Sequence, residues 1–319
     1  MFGTIFWLIL GLILLVKGAD WLVTGASAFA GKYGISDLTI GLTIVAFGTS
    51  APELIVNIYS SLNGHQDLVF GNILGSNIFN LLMILGLAGI ISPLVVQSTT
   101  VWKEIPLSLF AVLLLMVLAN SNVFQNDPGL SRLDGLILLL IFALFMVYVF
   151  RQLKQDIGEK EKQPILMAGR VLGFSIIGGL VALGFGGNLV VSSAVNLAQV
   201  LGVSEKIIGL TIVAAGTSLP ELATSVVAAL KKNSDIAVGN IIGSNIFNIL
   251  LILGVSSLLH PVAYNAVFNR EMLVLSLGTV FLFVALLTGE KQKLDRWEAA
   301  ILLAGFIVYT FFLIHGEIN

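Results

Sequence analysis

The chain has 319 residues, of which 57% are hydrophobic and 11% are charged, with a formal net charge of −2 and a mean hydropathy of +1.01. Soluble domains carry roughly 25% charged residues, so this composition excludes an ordinary soluble protein. Basic side chains are too few and too scattered for a nucleic-acid-binding surface, and the lack of cysteine excludes disulfides and thiolate metal sites.

Apolar runs that approach or exceed the roughly 20 residues needed to cross a bilayer recur along the whole chain. No basic segment or small-residue cleavage site accompanies the first run, which is therefore predicted to be a retained span. A polar segment, 151–168, is predicted to be a cytoplasmic linker between a first five-helix repeat, 1–150, and a second, 169–319. The ten predicted spans are 5–30, 38–61, 68–91, 105–120, 133–150, 169–200, 206–230, 236–259, 270–288 and 297–315.

Two motifs each occur twice in this chain, and equivalent positions of the two copies are 168 residues apart. GLTIVAFGTSAPEL at 41–54 matches GLTIVAAGTSLPEL at 209–222 in 12 of 14 positions, and GNILGSNIFN at 71–80 matches GNIIGSNIFN at 239–248 in 9 of 10. An odd number of spans in each repeat inserts the two halves in opposite directions, which predicts an inverted repeat.

Loop charges predict the orientation of the spans. The loops that follow the odd-numbered spans hold 12 Lys and Arg residues, and the other loops hold three. Because cytoplasmic loops are enriched in Lys and Arg, both termini are predicted to lie outside. The expected fold is an all-α polytopic membrane protein with ten transmembrane helices in two inverted five-helix repeats.

The first motif puts one glutamate, directly after a proline, inside an apolar run. Pro52 has no N–H and its ring clashes with the carbonyl of Gly48, so the helix is expected to break there and to free the carbonyls of Ala46–Thr49. A carboxylate at membrane depth is unfavourable and is usually functional. The second copy supplies the same set, namely Gly216, Thr217, Ser218, Pro220 and Glu221.

The second motif predicts a polar stripe on each of two further helices. Its side chains recur every four residues, as Asn72, Ser76 and Asn80 in the third span and as Asn240, Ser244 and Asn248 in the eighth. Asn77 and Asn245 lie one position off that face and are possible supports for broken backbone. Glycines beside these residues allow close approach of neighbouring helices.

Together the motifs provide two carboxylates, hydroxyls, amides and loosened carbonyls. Hard cations such as Ca²⁺ prefer about 6–8 oxygen ligands, whereas softer metals would require His or Cys, which neither motif contains. The alternative is that small and hydroxyl residues only pack helices together. Recurrence of hydroxyl, proline and glutamate in both halves favours the ion site. Lys17 and Asp20, three residues apart in the first span, are interpreted as a mutually neutralised pair.

GTSAPE or GTSLPE followed by GSNIFN, duplicated within ten spans, resembles the α-repeats of the sodium/calcium exchangers in the cation/Ca²⁺ antiporter superfamily. The resemblance covers nearly the whole chain and is to a compact prokaryotic member. It implies a Ca²⁺ site made by Glu53, Glu221 and the carbonyls of Thr49 and Thr217. It also implies that Asn80 and Asn248 lie at the middle of the site. One Na⁺ site would be flanked by Ala46, Ser50, Ser76 and Glu53, and a second by Ala214, Thr217, Ser218, Ser244 and Glu221.

One departure from part of the family is Asn248. Some prokaryotic members have aspartate at this position, and potassium-dependent exchangers place an acid near it, whereas asparagine is similar to the potassium-independent animal pattern. The chain therefore offers only two acids to the predicted site.

The resulting hypothesis is a secondary antiporter of the cell membrane that exchanges Na⁺ for Ca²⁺ by alternating access, with spans 1 and 6 sliding past spans 2, 3, 7 and 8. Its expected partners are Na⁺, Ca²⁺ and membrane lipids, with no cofactor, nucleic acid or obligate protein partner. A Ca²⁺/H⁺ antiporter would use the same glutamates. An intramembrane enzyme with an acid pair is the alternative from another class, and a cation channel is a further one.

Overall fold

A computed structural model describes residues 2–121, 128–159, 169–200, 214–288 and 292–318 of the chain. The described part consists of helices joined by short loops, with four strands of two residues each. This agrees with the all-helical membrane architecture expected from the composition.

The first half contains six helices by our numbering. They are α1 (Phe2–Tyr33), α2 (Asp37–Thr49), α3 (Ala51–Leu62), α4 (Gln66–Ile91), α5 (Thr100–Asn120) and α6 (Arg132–Glu159). Two short strands, β1 (Leu94–Val95) and β2 (Gly129–Leu130), precede α5 and α6.

The second half repeats this order. A helical turn at Ala214–Gly216 lies between the first two of its helices, which are α7 (Gly169–Val200), α8 (Leu219–Leu230), α9 (Ser234–Leu259), α10 (Asn269–Ala285) and α11 (Arg296–Ile318). Strand β3 (Val262–Ala263) and a 3₁₀ turn (Ala266–Phe268) precede α10, and β4 (Lys293–Leu294) precedes α11.

Eight described helices are long and apolar enough to cross a membrane, and the bent pair α2–α3 makes up to nine candidate spans. The remaining predicted span, 206–230, ends in the shorter apolar helix α8, but residues 201–213 lie outside the described ranges. Helix α6 continues to Glu159, into the segment predicted as a linker, because hydropathy marks the apolar part of a helix and not its polar end. The carboxylate of Asp156 in this extension accepts hydrogen bonds from the backbone N–H and hydroxyl of Ser36 at the start of α2.

Helices α1 and α7 pack against each other in antiparallel directions at glycine contacts. A Cβ atom added at Gly18 would lie 2.9 Å from the carbonyl oxygen of Gly179, and one added at Gly11 would lie 2.9 Å from that of Gly186. Close contact of this kind requires residues without side chains. Contrary to the predicted pairing of Lys17 with Asp20, the carboxylate of Asp20 forms an ion pair with Lys231 Nζ, at 2.6 Å.

Helices α4 and α9 form the buried centre of the molecule. Helix α9 crosses α2 closely, since a Cβ at Gly243 would lie 3.1 Å from the Cα of Leu42. Both central helices widen to π-helical geometry at equivalent points, Phe79–Ile84 and Phe247–Ile252. Single π-helical turns are often found at functional sites.

Two antiparallel strand pairs also join the halves. Strand β1 pairs with β4, with Leu94 opposite Leu294, and β2 pairs with β3, with Leu130 opposite Val262. Exchange of the two halves therefore maps one strand pair onto the other. This exchange symmetry brings the duplicated motifs together at the centre.

Candidate cation site

The helix break predicted in the first motif is present. Helices α2 and α3 are bent by 46° relative to each other, and Ser50 between them has φ −84° and ψ 6°. Ser218, at the equivalent position before α8, has φ −89° and ψ 8°. The proline occupies the second position of α3 and of α8, where its missing N–H is tolerated.

The two glutamates that follow these breaks lie inside the protein. Glu53 and Glu221 are both 0% exposed. The hydroxyl of Ser50 donates to Oε1 of Glu221 at 2.9 Å, and the hydroxyl of Ser218 donates to Oε1 of Glu53 at 3.1 Å. Each serine therefore contacts the carboxylate of the opposite repeat, and these two crossed hydrogen bonds hold both carboxylates in one site.

A second hydroxyl approaches each carboxylate from the central helix of its own repeat. Ser76 Oγ lies 3.5 Å from Oε1 of Glu53, and Ser244 Oγ lies 3.5 Å from Oε1 of Glu221, at the limit of hydrogen bonding. The other oxygen, Oε2, of each glutamate accepts no hydrogen bond from the described residues. Two buried carboxylate oxygens are thus available to a cation or a proton.

The threonines of the first motif also make crossed contacts. Thr49 Oγ1 donates to Oδ1 of Asn240 at 3.0 Å, and Thr217 Oγ1 donates to Oδ1 of Asn72 at 3.2 Å. Their hydroxyls thus hold the broken helix of one repeat against the central helix of the other.

Four asparagines from α4 and α9 are joined by hydrogen bonds between the two repeats. Asn77 and Asn245 each donate to the backbone carbonyl of the other, at 3.3 and 3.4 Å. Asn80 donates to Oδ1 of Asn245 at 3.2 Å, and Asn248 donates to Oδ1 of Asn77 at 2.9 Å. Asn77 and Asn245 therefore contact main-chain oxygens of the central helices, away from the helix breaks. The oxygens Oδ1 of Asn80 and Asn248 accept no hydrogen bond from the described residues.

The structure describes the main-chain contacts of Ala46 but not the side chain of Ala214, the equivalent residue in the second repeat. Contrary to the expectation that its carbonyl is freed, Ala46 accepts hydrogen bonds from the N–H of Ser50, at 3.0 Å, and from Thr49 Oγ1, at 3.3 Å. The reason is that Pro52 removes the donor four residues after Gly48, not the one four residues after Ala46. Ala214 begins the helical turn before α8, and its side chain lies outside the described ranges.

The family resemblance groups Ser50 with Glu53, and Ser218 with Glu221, around Na⁺ sites, and this grouping stays a prediction. In the structure each serine donates its hydrogen bond to the glutamate of the other repeat. Their positions three residues before the glutamate predict a shared helix face, but the helix ends at the break. The serine therefore points across the interface between the repeats.

Two buried polar residues near the site were not identified from the sequence. Asn57, one turn after Glu53, is 0% exposed, and its Nδ2 donates to the carbonyl of Glu53 at 2.9 Å. Thr224, on the equivalent turn of α8, is 0% exposed, and its hydroxyl has no hydrogen-bond partner among the described residues. Each lies three or four residues after a glutamate, and this spacing could have predicted that it shares a helix face with that glutamate.

The donor set is that of a site for a hard cation. In the described part of the chain, no group of three or more His, Cys, Asp or Glu side chains could hold a metal. The site instead combines two carboxylates with hydroxyl and amide oxygens, the neutral ligands that Ca²⁺ and other hard cations accept. A buried pair of ionised carboxylates without a counter-ion is unfavourable, so the site favours entry of positive charge.

Comparison with known proteins identifies the family. The family described as "Sodium/calcium exchanger protein" matches residues 3–151 and 171–315. The inner membrane protein YrbG of Escherichia coli K12 is 39% identical, over 95% of this chain and 94% of its own, and the sodium/calcium exchanger MaX1 of Methanosarcina acetivorans is 31% identical, over 97% of each.

Among solved structures, the sodium-calcium exchanger NCX_Mj, soaked with zero Na⁺ and Ca²⁺, superposes with a TM-score of 0.82 and 33% identity. The match covers 97% of this chain and 98% of that one. The family consists of transporters and not of enzymes. From the matched family, the full-length relatives and the shared fold, we conclude that this chain is a multi-pass membrane protein that belongs to the sodium/calcium exchanger family of cation/Ca²⁺ antiporters.

Proposed function

We propose that the protein exchanges Na⁺ for Ca²⁺ through one site shared by helices α2–α3, α4, α8 and α9. The observation that carries this proposal is the pair of crossed hydrogen bonds that hold Glu53 and Glu221 in a single buried site. Each carboxylate keeps one oxygen without a donor among the described residues. Both glutamates, rather than one, would then contact the transported ion.

The ligands fall into two groups in this proposal. Ca²⁺ binds between Glu53 and Glu221 with the carbonyls of Thr49 and Thr217, and Asn80 and Asn248 line the centre. Na⁺ binds at flanking positions that use hydroxyls and carbonyls near the same glutamates, at Ser50, Ser76, Ala214, Thr217, Ser218 and Ser244. The carbonyl of Ala46 joins these ligands only by giving up one of the two hydrogen bonds that it accepts. Asn77 and Asn245 support the backbone of the central helices.

Exchange follows from competition for two negative charges. One Ca²⁺ or two Na⁺ neutralise both carboxylates, so occupancy by one set excludes the other. An empty site with two ionised carboxylates would be unfavourable to enclose at membrane depth, which suppresses leakage. Because of this penalty, the empty protein rarely changes between its outward-open and inward-open states. The two ion fluxes are therefore coupled.

Helices α1 and α7 are the elements that move in this mechanism. They form an antiparallel pair with glycine contacts between them, and the buried acids and amides of the site lie on other helices. Sliding of this pair past the core would open the site to one side at a time. This is alternating access between two inverted repeats.

The proposed topology has ten spans in the cell membrane, with both termini outside. It rests on the distribution of Lys and Arg between the loops and on the exchange symmetry of the contacts between the halves. The repeats occupy 1–150 and 169–319, with 151–168 between them on the cytoplasmic side. Labelling of single cysteines, introduced into this cysteine-free chain at either end, would test the assignment.

A Ca²⁺/H⁺ antiporter is the second candidate function. Oε2 of Glu53 and Oε2 of Glu221, which accept no hydrogen bond from the described residues, could bind protons as well as metal ions. The hydroxyls around them favour Na⁺, because protonated carboxyls would not need several neutral oxygen ligands. Uptake of ⁴⁵Ca²⁺ driven by a Na⁺ gradient, with pH clamped equal on both sides, supports Na⁺; uptake driven only by a pH gradient supports H⁺.

The glutamate assignment is tested in the same vesicles. Glu53→Gln and Glu221→Gln each remove one of the two negative charges, so we expect Ca²⁺ uptake to fall to background. Asp67→Asn, which neutralises an exposed acid at the start of α4, is the matched control and should transport normally. Near-normal uptake by either glutamine variant would refute the assignment. Gel filtration and thermal unfolding of each variant show whether a lost activity reflects misfolding.

A further inference from the structure

A crevice with a volume of about 440 Å³ lies between α10 and α11, on the outer surface of the helix bundle. One end is polar and is formed by Arg270, Glu271 and Tyr309. The remaining length is apolar, with walls that include Leu82, Val274, Leu277, Phe281, Ile301 and Phe312. None of these residues belongs to the proposed cation site.

The length of the crevice matches one leaflet of a bilayer. From Arg270 to Phe281 helix α10 advances about 16 Å at ~1.5 Å per residue. Half of the hydrocarbon core of a bilayer is about 15 Å. Helix α10 begins at Asn269, so the polar end of the crevice lies at the membrane interface and the apolar part extends towards the bilayer centre. An acyl chain of a lipid fits this arrangement.

The crevice depends on a glycine in α11. Gly305 lines it, and a Cβ atom added there would have no described atom within 4 Å. A larger side chain at this position would therefore fill the crevice without displacing the described backbone. This makes Gly305 a suitable place to block an occupant.

The polar end carries opposite charges side by side. Arg270 is exposed and Glu271 is half-buried, and the described residues donate no hydrogen bond to Oε2 of Glu271. A guanidinium binds phosphate well, and a half-buried carboxylate is stabilised by a nearby cation such as an ammonium. A headgroup with a phosphate followed by a primary ammonium would satisfy both residues at once.

We propose that this crevice binds one phosphatidylethanolamine molecule, with its phosphate at Arg270, its ammonium at Glu271 and one acyl chain along α10 and α11. Phosphatidylcholine has no N–H to donate to Glu271, and phosphatidylglycerol has no cation. The carboxylate thus distinguishes phosphatidylethanolamine from other phospholipids whose phosphate could also bind Arg270.

The lipid would also contact the helix that carries part of the cation site. Leu82 lines the crevice and lies in the π-helical segment of α4, two residues after Asn80. The acyl chain is therefore adjacent to the central helix, although lipid binding does not depend on the proposed transport function.

Native mass spectrometry of the purified full-length protein tests the proposal. The protein is incubated with an equimolar mixture of phosphatidylethanolamine, phosphatidylcholine and phosphatidylglycerol with identical acyl chains. We expect about ten-fold preferential retention of phosphatidylethanolamine, the effect of one charged hydrogen bond. Glu271→Gln should abolish the preference over phosphatidylcholine while lipid is still retained.

A second experiment measures lipid retention in variants whose crevice is blocked by a larger side chain. Gly305→Leu should reduce retention of all three lipids, whereas Gly184→Leu, at an exposed glycine of α7 that also has no described atom within 4 Å, should not. Gly305→Ser is used if the leucine variant does not elute as a folded protein. Equal retention of the three lipids, preference for phosphatidylglycerol, or unchanged retention after the crevice is blocked would each overturn the proposal.

Discussion

Ser50 donates a hydrogen bond of 2.9 Å to the carboxylate of Glu221, a residue 171 positions further along the chain. The equivalent bond, from Ser218 to Glu53, is 3.1 Å long. Each half of the protein thus completes the acidic site of the other half. Ser50 and Ser218 therefore do not donate to the glutamate of their own copy of the motif; each donates to the glutamate of the other copy.

The crossed arrangement predicts which residues are energetically coupled. A double-mutant cycle with Ser50→Ala and Glu221→Gln should give a coupling free energy of about 0.5–3 kcal/mol, as expected for contacting residues. The cycle with Ser50→Ala and Glu53→Gln, its matched control, should give a smaller value because no hydrogen bond joins that pair. Thermal unfolding of the purified variants measures both. A larger coupling within one repeat than between repeats would contradict the geometry.

The central asparagines should stabilise the fold as well as line the site. Asn77→Ala removes the acceptor of Asn248 and leaves a buried amide without a partner, so we expect a loss of about 1–3 kcal/mol in the free energy of unfolding. Asn245→Ala should have a similar effect, because it removes the acceptor of Asn80. Asn63→Ala, at an exposed asparagine, is the control and should change stability little. Equal stability of all three variants would rule out this role.

An acid at the centre should make transport depend on pH. In Asn248→Asp the donor to Asn77 Oδ1 is lost when the new carboxyl is ionised and is restored when it is protonated. We therefore expect exchange close to that of the parent protein at low pH and an altered Na⁺:Ca²⁺ ratio as pH rises. Ion flux in vesicles at several pH values provides the measurement. Asn80→Asp, the equivalent change in the other repeat, should behave alike; a flat pH profile for both variants would contradict the expectation.

The glycine contacts between α1 and α7 should be needed for transport. Gly18→Ala would place a Cβ atom 2.9 Å from main-chain atoms of α7, which must move apart at a penalty of about 1–3 kcal/mol. We expect slower Na⁺-driven Ca²⁺ uptake, with the affinity of the cation site nearly unchanged because the site lies elsewhere. Gly184→Ala, on the same helix pair with no described atom within 4 Å, should transport normally. Unchanged uptake by Gly18→Ala would show that this close contact is dispensable.

Several features could be predicted from the sequence because they depend on local chemistry. The apolar composition indicated a membrane protein, and Pro52 predicted the break that separates α2 from α3. The duplication predicted two similar halves, and Glu53 and Glu221 stood out as the only acids in the repeated motifs. Each of these conclusions needs only neighbouring residues or a comparison of the chain with itself.

The tertiary structure decided which groups meet. The crossed bonds of Ser50 and Ser218, the partnership of Asp20 with Lys231 and the mutual hydrogen bonds of Asn77 and Asn245 all join residues more than 160 positions apart. Periodicity along one helix predicts the face on which a side chain lies, but not the helix that packs against it. Contacts of this kind depend on how the two halves pack together, so the sequence identified the two acids and only the packed helices determined which hydroxyls contact them.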